Sequence, residues 1–245
     1  MENERRIYGT QVEINAGAVQ DLFDSRAKSM GERNPYTSVL LGDQNPEYAE
    51  KWNKFEKDYI LPELNITSAD SVLDIGCGIG RWAETLIPLC GYYCGADFSA
   101  EMIKIAKERN KFEGKKYDFV NCSFQEIAER CKGKKFSKII ISYICMYIND
   151  KDLKKCFESL SDLLDEHGIF YFTETVAIKE RLTLKDFYSS AMKTDYSTIY
   201  RTPEEYLFYY KDVWGGVITK QGFHPHLNKE KEYSETDRWY SILKW

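Results

Sequence analysis

Excess basic charge is what this chain most plainly lacks: in 245 residues, 34 Lys and Arg stand against 39 Asp and Glu, a formal net charge of −5. Binding to a phosphate backbone calls for a basic face, so nucleic acid is not an expected partner. The local cluster Lys132-Gly133-Lys134-Lys135 reads as a solvated turn ahead of a strand. No window holds the roughly eighteen apolar residues that cross a bilayer. The amino-terminal Met1-Glu2-Asn3-Glu4-Arg5-Arg6 lacks the apolar core of a secretory signal. No membrane association and a cytoplasmic location are therefore expected. The seven cysteines include no C-x-x-C pair; set in apolar runs, they read as buried thiols of a reducing compartment, with no disulfide framework and no metal site expected. Histidine is scarce, three in all, which restricts proton-transfer chemistry to few candidates. Nothing in the sequence fixes the oligomeric state.

What is present begins at Val72-Leu73-Asp74-Ile75-Gly76-Cys77-Gly78-Ile79-Gly80, an apolar strand running through an acid into three alternating glycines. Glycine there leaves no Cβ between backbone and ligand and permits positive φ in the turn. A helix expected from Arg81 would aim its free N–H groups at the bound molecule. Asp97 closes a second apolar run and lies 21 residues (97 − 76) after Gly76, where an acid receives the two hydroxyls of a ribose. A dinucleotide site would read G-x-G-x-x-G, but its third position here is Arg81; glycines at every second residue make a wider loop, suited to a ligand without a pyrophosphate. A Rossmann oxidoreductase using NAD stays open as an alternative.

The pattern Asp74-x-Gly76-x-Gly78-x-Gly80 resembles the first motif of class I S-adenosylmethionine (SAM) dependent methyltransferases, and the rest of the chain, over roughly residues 52 to 245, follows that family in order. The resemblance implies SAM as cofactor and S-adenosylhomocysteine (SAH) as product. It places Asp74, Gly76, Cys77, Gly78 and Gly80 in the cofactor loop, Asp97 on the ribose with Phe98 and Met102 following, and Cys122, Ser123 and Phe124 around the adenine. Ser142 and Tyr143, at the end of the fourth strand, fall beside the donor methyl. One departure stands out: the family often has an Asp near the adenine amine, where this chain offers Cys122 and Ser123.

The fold class expected is α/β, a doubly wound, mostly parallel seven-stranded sheet with an antiparallel C-terminal strand, an N-terminal helical addition and a helical lid after the fifth strand. One domain over 1–245 divides into a helical cap (1–69), a SAM-binding core (70–174), a lid insertion (175–214) and a C-terminal hairpin (215–245). The run from Lys138 to Ile144 is continuously apolar at its centre, as a strand covered on both faces should be. Leu153, Cys156, Phe157, Leu160, Leu163 and Leu164 recur at helical spacing, with Gly168 ending the helix and His167 exposed at its terminus. Asn45-Pro46-Glu47 starts another helix.

Residues 175 to 214 are too long for an ordinary connection and hold nine aromatics between Phe187 and Trp214. With the segment around Phe23 to Tyr36, they form the expected lid over the acceptor. Tyr200-Arg201-Thr202 is similar to a Tyr-Arg-Ser stretch of small-molecule and some peptide N-terminal methyltransferases. Tyr36, Tyr147, Asp195 and Arg201 are the substrate-binding candidates. His224, His226, Glu174 and Tyr200 are the candidates for proton removal or catalysis. The function expected is methyl transfer to an O or N atom of a small polar acceptor, such as a sugar or nucleotide-sugar. A peptide N-terminal amine as acceptor, or a non-catalytic SAM-binding sensor, are the alternatives.

Overall fold

Alternation along the strands decides how the molecule is layered. In the strand Phe136–Ser142, Ile139 and Ile141 enter one buried cluster and Ile140 another; in Ser71–Ile75, Leu73 and Ile75 join the first cluster and Val72 the second. Successive side chains of a strand point to opposite faces, so a sheet built from such runs is covered on both sides.

The computed structural model describes residues 5–29, 34–40, 45–227 and 234–245, with the side chains of 211–214 left aside. Residues 1–4 of the amino-terminal segment, 30–33 of the expected N-terminal lid and the Trp214 side chain thus lie outside the description. In chain order, β1 (Arg6–Tyr8), α1 (Ala16–Lys28), α2 (Thr37–Leu40) and α3 (Pro46–Leu64) come first. The core follows as β2 (Ser71–Ile75), α4 (Ala83–Leu89), β3 (Tyr92–Asp97), α5 (Ala100–Arg109), β4 (Tyr117–Asn121), α6 (Ile127–Arg130), β5 (Phe136–Ser142), α7 (Asp150–Leu160) and β6 (Leu164–Ala177). The chain ends with β7 (Leu182–Ser189), β8 (Thr194–Tyr200), α8 (Pro203–Trp214), β9 (Val217–Phe223) and β10 (Thr236–Lys244). The seven-stranded sheet has the order β4-β3-β2-β5-β6-β10-β9. Its first five strands are parallel, and β10 runs antiparallel to both β6 and β9. The chain moves outward through β3 and β4, then returns to the other side of β2, so the order reverses between β2 and β5. Ligands of open α/β sheets bind at that reversal, beyond the carboxyl ends of the strands.

Several expectations need correction. The lid is not purely helical: β7 and β8 form an antiparallel hairpin that pairs with β1 in a separate three-stranded sheet, and only then does α8 begin. The residues explain it, since Thr183, Phe187, Tyr188, Tyr196, Thr198, Ile199 and Tyr200 are β-branched or aromatic and favour a pleated, half-buried surface. The N-terminal addition likewise contributes a strand as well as helices. Helix α7 stops at Leu160, well before His167, because Leu163 and Leu164 turn into the core instead of continuing the helical face. His167 sits exposed in an irregular stretch of β6 with φ +65°. Arg81 and Trp82 form a turn ahead of α4, with the Arg81 guanidinium drawn inward to Glu56 at 2.7 Å and to the Ser142 hydroxyl at 2.9 Å. Other starts fall where expected. Asn45 caps α3 by accepting from the Tyr48 N–H at 3.1 Å. Thr202 and Glu205 make a reciprocal capping pair at the head of α8.

Arg201 is placed far from an acceptor-binding role. Its side chain is fully buried, donating to an Asp150 carboxylate oxygen at 2.9 Å, to the Cys145 carbonyl at 2.9 Å and to the Ile148 carbonyl at 2.7 Å. Asp150 is also held by Arg181, 2.6 Å from each carboxylate oxygen, and these guanidinium partners keep its carboxyl at about 2 despite burial. The guanidinium satisfies backbone that no regular element satisfies. Arg201→Lys, which cannot reproduce three such directions, should lower the unfolding free energy by about 3 kcal/mol in urea titration; an unchanged midpoint would show that this clamp is not needed.

Candidate active site

The loop after β2 is shaped by backbone conformations that only glycine adopts easily. Gly76 has φ +73° and Gly78 φ +53°. A Cβ on Gly76 would collide with the Ile144 side chain, and one on Gly78 would come within 2.8 Å of a Val39 methyl. The N–H groups of Gly76 and Cys77 both reach the Ala96 carbonyl of β3, at 2.7 and 2.9 Å, so the loop doubles back over the neighbouring strand. Asp97, at the end of β3, completes the fold-back by accepting the Gly78 N–H at 2.9 Å on one oxygen and the Ser99 N–H at 2.9 Å on the other. Burial pushes its carboxyl up to about 6, partly offset by those two donors. Each carboxylate oxygen keeps one lone pair, so that the two together can take two further donors, the requirement of a ribose edge.

Around this loop lies a cavity of about 290 Å³ lined by Gly76, Gly78, Asp97, Phe98, Met102, Cys122, Ser123, Phe124, Ser142 and Tyr143, together with Tyr147. The sequence reading passed over other lining residues. Gln125 follows Phe124, while Ala16, Gly17, Val19 and Gln20 of α1 and Val39 of α2 cover the opening, joined by Phe23 from the start of the expected lid segment. Phe23 meets Phe98 and Tyr147 edge to face at 6.1 and 5.1 Å, and Asp24 accepts from the Ser99 hydroxyl at 2.5 Å, fixing α1 over the cavity. Apolar spacing alone could not have revealed that α1 faces a cavity rather than the sheet. At the end of the cavity expected to meet the adenine, the Ser123 N–H and hydroxyl are both taken by the Glu126 carboxylate, at 2.8 and 2.7 Å.

Asp74, Cys77 and Gly80 are not part of this lining. Asp74 and Cys77 face a smaller adjoining cavity of about 30 Å³ that also holds Arg81, Ser142 and Tyr143. Asp74 is buried, accepts from the Tyr93 hydroxyl at 2.6 Å, and is pushed up to about 6 by burial. Gly80 packs instead against Ala106 of α5 and Asn110 at the end of that helix.

A second cavity, of about 490 Å³, opens between the β-hairpin and β10 and shares Val39, Tyr143 and Tyr147 with the first. Tyr143 is the common wall. It has φ +59°, uncommon for a large side chain and costly unless its surroundings fix it. Its hydroxyl accepts from the Trp52 indole N–H at 3.2 Å. Tyr196, Tyr200, Phe187, Thr175, Arg238, Arg6 and Glu235 also line this cavity. Arg6 and Glu235 form an ion pair, and the Tyr8 hydroxyl donates to Glu235 at 2.7 Å.

Of the candidate catalytic and acceptor residues, Tyr200 and Tyr147 line this second cavity. The others are placed elsewhere, each for a visible reason. His224 follows β9 and is packed among the rings of Trp52, Tyr59 and Tyr240; its Nε2 is 3.0 Å from the Thr173 hydroxyl, and burial lowers it to about 4. His226 is 43% exposed at its side chain and sits 3.2 Å from Asp237. Glu174 is buried beneath the segment that leaves β5, accepting the Ile144 and Cys145 N–H groups at 2.7 and 2.6 Å, and burial raises it to about 8. Asp195 is exposed and pairs with Arg5 at 3.5 Å. Tyr36 donates to Glu84 at 2.7 Å and packs near Ile79 and Met102. Arg201 is the clamp described above.

Comparison with known proteins agrees with this geometry. Residues 72–168 match a family model described as a methyltransferase domain. Phosphoethanolamine N-methyltransferase 1 of Caenorhabditis elegans is 24% identical over 172 residues, 68% of this chain and 34% of that protein. Ubiquinone biosynthesis O-methyltransferase of Pelagibacter ubique is 30% identical over 124 residues, 48% of this chain and 50% of that protein. The chain thus spans half or less of the length of these curated relatives. Among solved structures, a SAM-dependent methyltransferase of Leishmania major superposes with a TM-score of 0.67 at 16% identity, over 93% of this chain and 82% of that one, which is a likeness of fold. Residues 72–168 thus carry a methyltransferase domain, and the fold of the chain is that of the Rossmann-like, class I SAM-dependent methyltransferases. Its match to the family model lies in residues 72–168, which contain the glycine loop, Asp97 and the end of β5.

Gly78→Val places a branched side chain where φ is +53° and Val39 already stands. It should abolish SAH binding at concentrations that saturate the wild type while circular dichroism keeps its α/β signature; normal binding by the variant would remove the loop from the cofactor site.

Proposed function

We propose that this chain transfers a methyl group from SAM to an oxygen or nitrogen of a small polar acceptor, leaving SAH. The observation that carries this reading is the adjacency of the two cavities across one wall, Val39, Tyr143 and Tyr147. The first suits SAM. Backbone without Cβ lies along Gly76 and Gly78, Asp97 has lone pairs left for a diol, and the side cavity sets Asp74 and Arg81 about a space fit for an amino-acid end. When bound, SAM supplies an electrophilic methyl on a leaving group that is already activated. What remains for the protein is alignment, which can contribute a large part of the rate. Helix α1 and the β-hairpin cover the two cavities and keep water out, and Tyr143 is held rigidly where they meet.

No histidine lines either cavity among the described residues, and Glu235 in the second is occupied by Arg6 and Tyr8. We therefore read the site as one that orients its acceptor rather than one built on a dedicated base. Relatives named for an N- and an O-methylation support either atom. The rings of Phe187, Tyr196 and Tyr200 suit a flat or pyranose acceptor such as a sugar or nucleotide-sugar. Polar groups in the second cavity weigh against a sensor without chemistry. Seven free, buried cysteines support placing the chain in the cytoplasm; no helix among the described residues is long and apolar enough to cross a membrane.

Incubation with SAM and fractionated metabolite pools should yield a product heavier by one methyl, with equal release of SAH by mass spectrometry. Tight SAM binding with no product from any pool would favour the sensor. Asp97 gives a further test with a definite sign. Its carboxyl is raised to about 6, so it becomes protonated below that pH and loses acceptor capacity. SAH affinity should therefore rise between about pH 5 and pH 7 and level off above. Asp97→Asn should bind about tenfold more weakly or worse, as expected when charge-assisted bonds worth about 1.5–3 kcal/mol are lost, and with a smaller pH dependence, since Asp74, also raised to about 6, stays in place. Calorimetry decides it; an affinity that the substitution leaves unchanged would remove Asp97 from the ribose.

A further inference from the structure

Arg238 stands on β10 with its guanidinium carbon 4.0 Å from the centre of the Trp52 ring and 5.6 Å from that of Tyr48. Its Nη1 donates to the Tyr48 hydroxyl at 2.9 Å, and that is its one side-chain hydrogen bond among the described residues. It has no carboxylate partner there. The acids nearby are otherwise engaged: Glu56 is fully buried and paired with Arg81 at 2.7 Å, Glu235 is paired with Arg6, and Asp237 faces His226. Yet Arg238 lines the second cavity, and none of its nitrogens is sealed in protein without a partner. Of the charges lining that cavity, Arg6 and Glu235 cancel, which leaves the Arg238 cation uncompensated. A guanidinium has five donors in a fixed fork, and most of them here are unused. Cation–π contact holds the plane in place without neutralising it. Burying a charge this way is costly unless something pairs with it.

We propose that the second cavity binds the anionic group of the acceptor, a carboxylate or a phosphate, on Arg238, with the rest of the acceptor extending past Tyr143 toward the first cavity. The acceptor class is thus an acidic small molecule. This rests on the methyltransferase reading above. Arg238 acts as a specificity-determining residue: it fixes one end of the acceptor so that the other end reaches the shared wall. Of the ways to hold an oxyanion, a guanidinium fork gives two parallel hydrogen bonds and geometric selectivity. Lysine at this position would keep the charge and lose the fork.

The test uses the full chain with inorganic phosphate and acetate as probes, titrated with and without SAH and followed by Trp52 fluorescence, with Trp52→Phe as the control that identifies the signal, and by the 15N shift of the Arg238 Nε. Both probes should perturb the wild type saturably, and the one that binds more tightly names the group. Arg238→Lys should weaken that binding about tenfold and Arg238→Met should abolish it, with SAH affinity within a few-fold of wild type for both. If Arg238→Met fails to fold, Arg238→Lys and the wild-type Nε shift still decide. Absence of any anion response in the wild type, or an equal response in the variants, overturns the proposal. Failure of the wild type to bind SAH would strike the methyltransferase reading instead, and the anion titrations without SAH keep the two failures apart. Among acceptors that turn over in the wild type, removal of the carboxylate or phosphate should raise KM at least tenfold, and Arg238→Met should erase that difference.

Discussion

The chain leaving β5 has to cross the carboxyl ends of the sheet without regular hydrogen bonding, and two buried polar side chains make this possible. Backbone N–H and C=O groups cannot be buried unpaired at small cost. Glu174 accepts the N–H groups of Ile144 and Cys145, and Arg201 donates to the carbonyls of Cys145 and Ile148. One carboxyl group thus serves the donors of the segment and one guanidinium its acceptors, with Asp150 balancing Arg201. Everything the site needs from this part of the chain follows. Tyr143 is kept at φ +59°, Ile144 is packed against Gly76, and Tyr147 faces both cavities.

That arrangement explains why part of the site is legible in the sequence and part is not. The glycine loop and Asp97 are readable because their requirement is local: positive φ at Gly76 and Gly78, and an acid one strand away. The strands of the core are readable for a similar reason, since a run such as Ile139-Ile140-Ile141 has no other comfortable place than a sheet covered on both faces. Arg201 and Glu174 mislead because a charged residue among apolar neighbours looks the same whether its partner is a ligand or an orphaned peptide group. His224 misleads in the same manner: its partner is the hydroxyl of Thr173, and its neighbours are rings. The β-hairpin was hidden by its aromatics, which suit a helical core and a pleated surface equally until pairing with β1 decides.

Arg238 is the opposite case, a functional candidate with no local signal. It sits in the strand run Arg238-Trp239-Tyr240, and what distinguishes it lies far along the chain, with Tyr48, its hydrogen-bond partner, 190 positions away. Only the closure of α3 over β10 brings Trp52 beneath its guanidinium and leaves the rest of the fork facing a cavity. Trp52 also donates to Tyr143. A helix outside the family match therefore supports both the shared wall and the cation beside it.

This division has a physical basis that extends to the chain as a whole. Most of the first cavity is built from residues between 72 and 168, the stretch that matches the methyltransferase domain, with α1 and Val39 as its cover. The second cavity takes only Tyr143, Met146 and Tyr147 from that stretch; its other lining comes from the amino-terminal segment, Thr175 near the end of β6, the hairpin and the last strand with Glu235 just before it. A cofactor that does not change fixes the geometry of the loop that holds it, so that loop resembles the same loop elsewhere. An acceptor does change, and the elements that meet it are free to differ as long as they pack against the same sheet edge and reach the same wall. Similarity to known proteins is then strongest where it says least about the acceptor. The acceptor must be argued from the charge and shape of the second cavity, where an uncompensated guanidinium lies on a tryptophan ring.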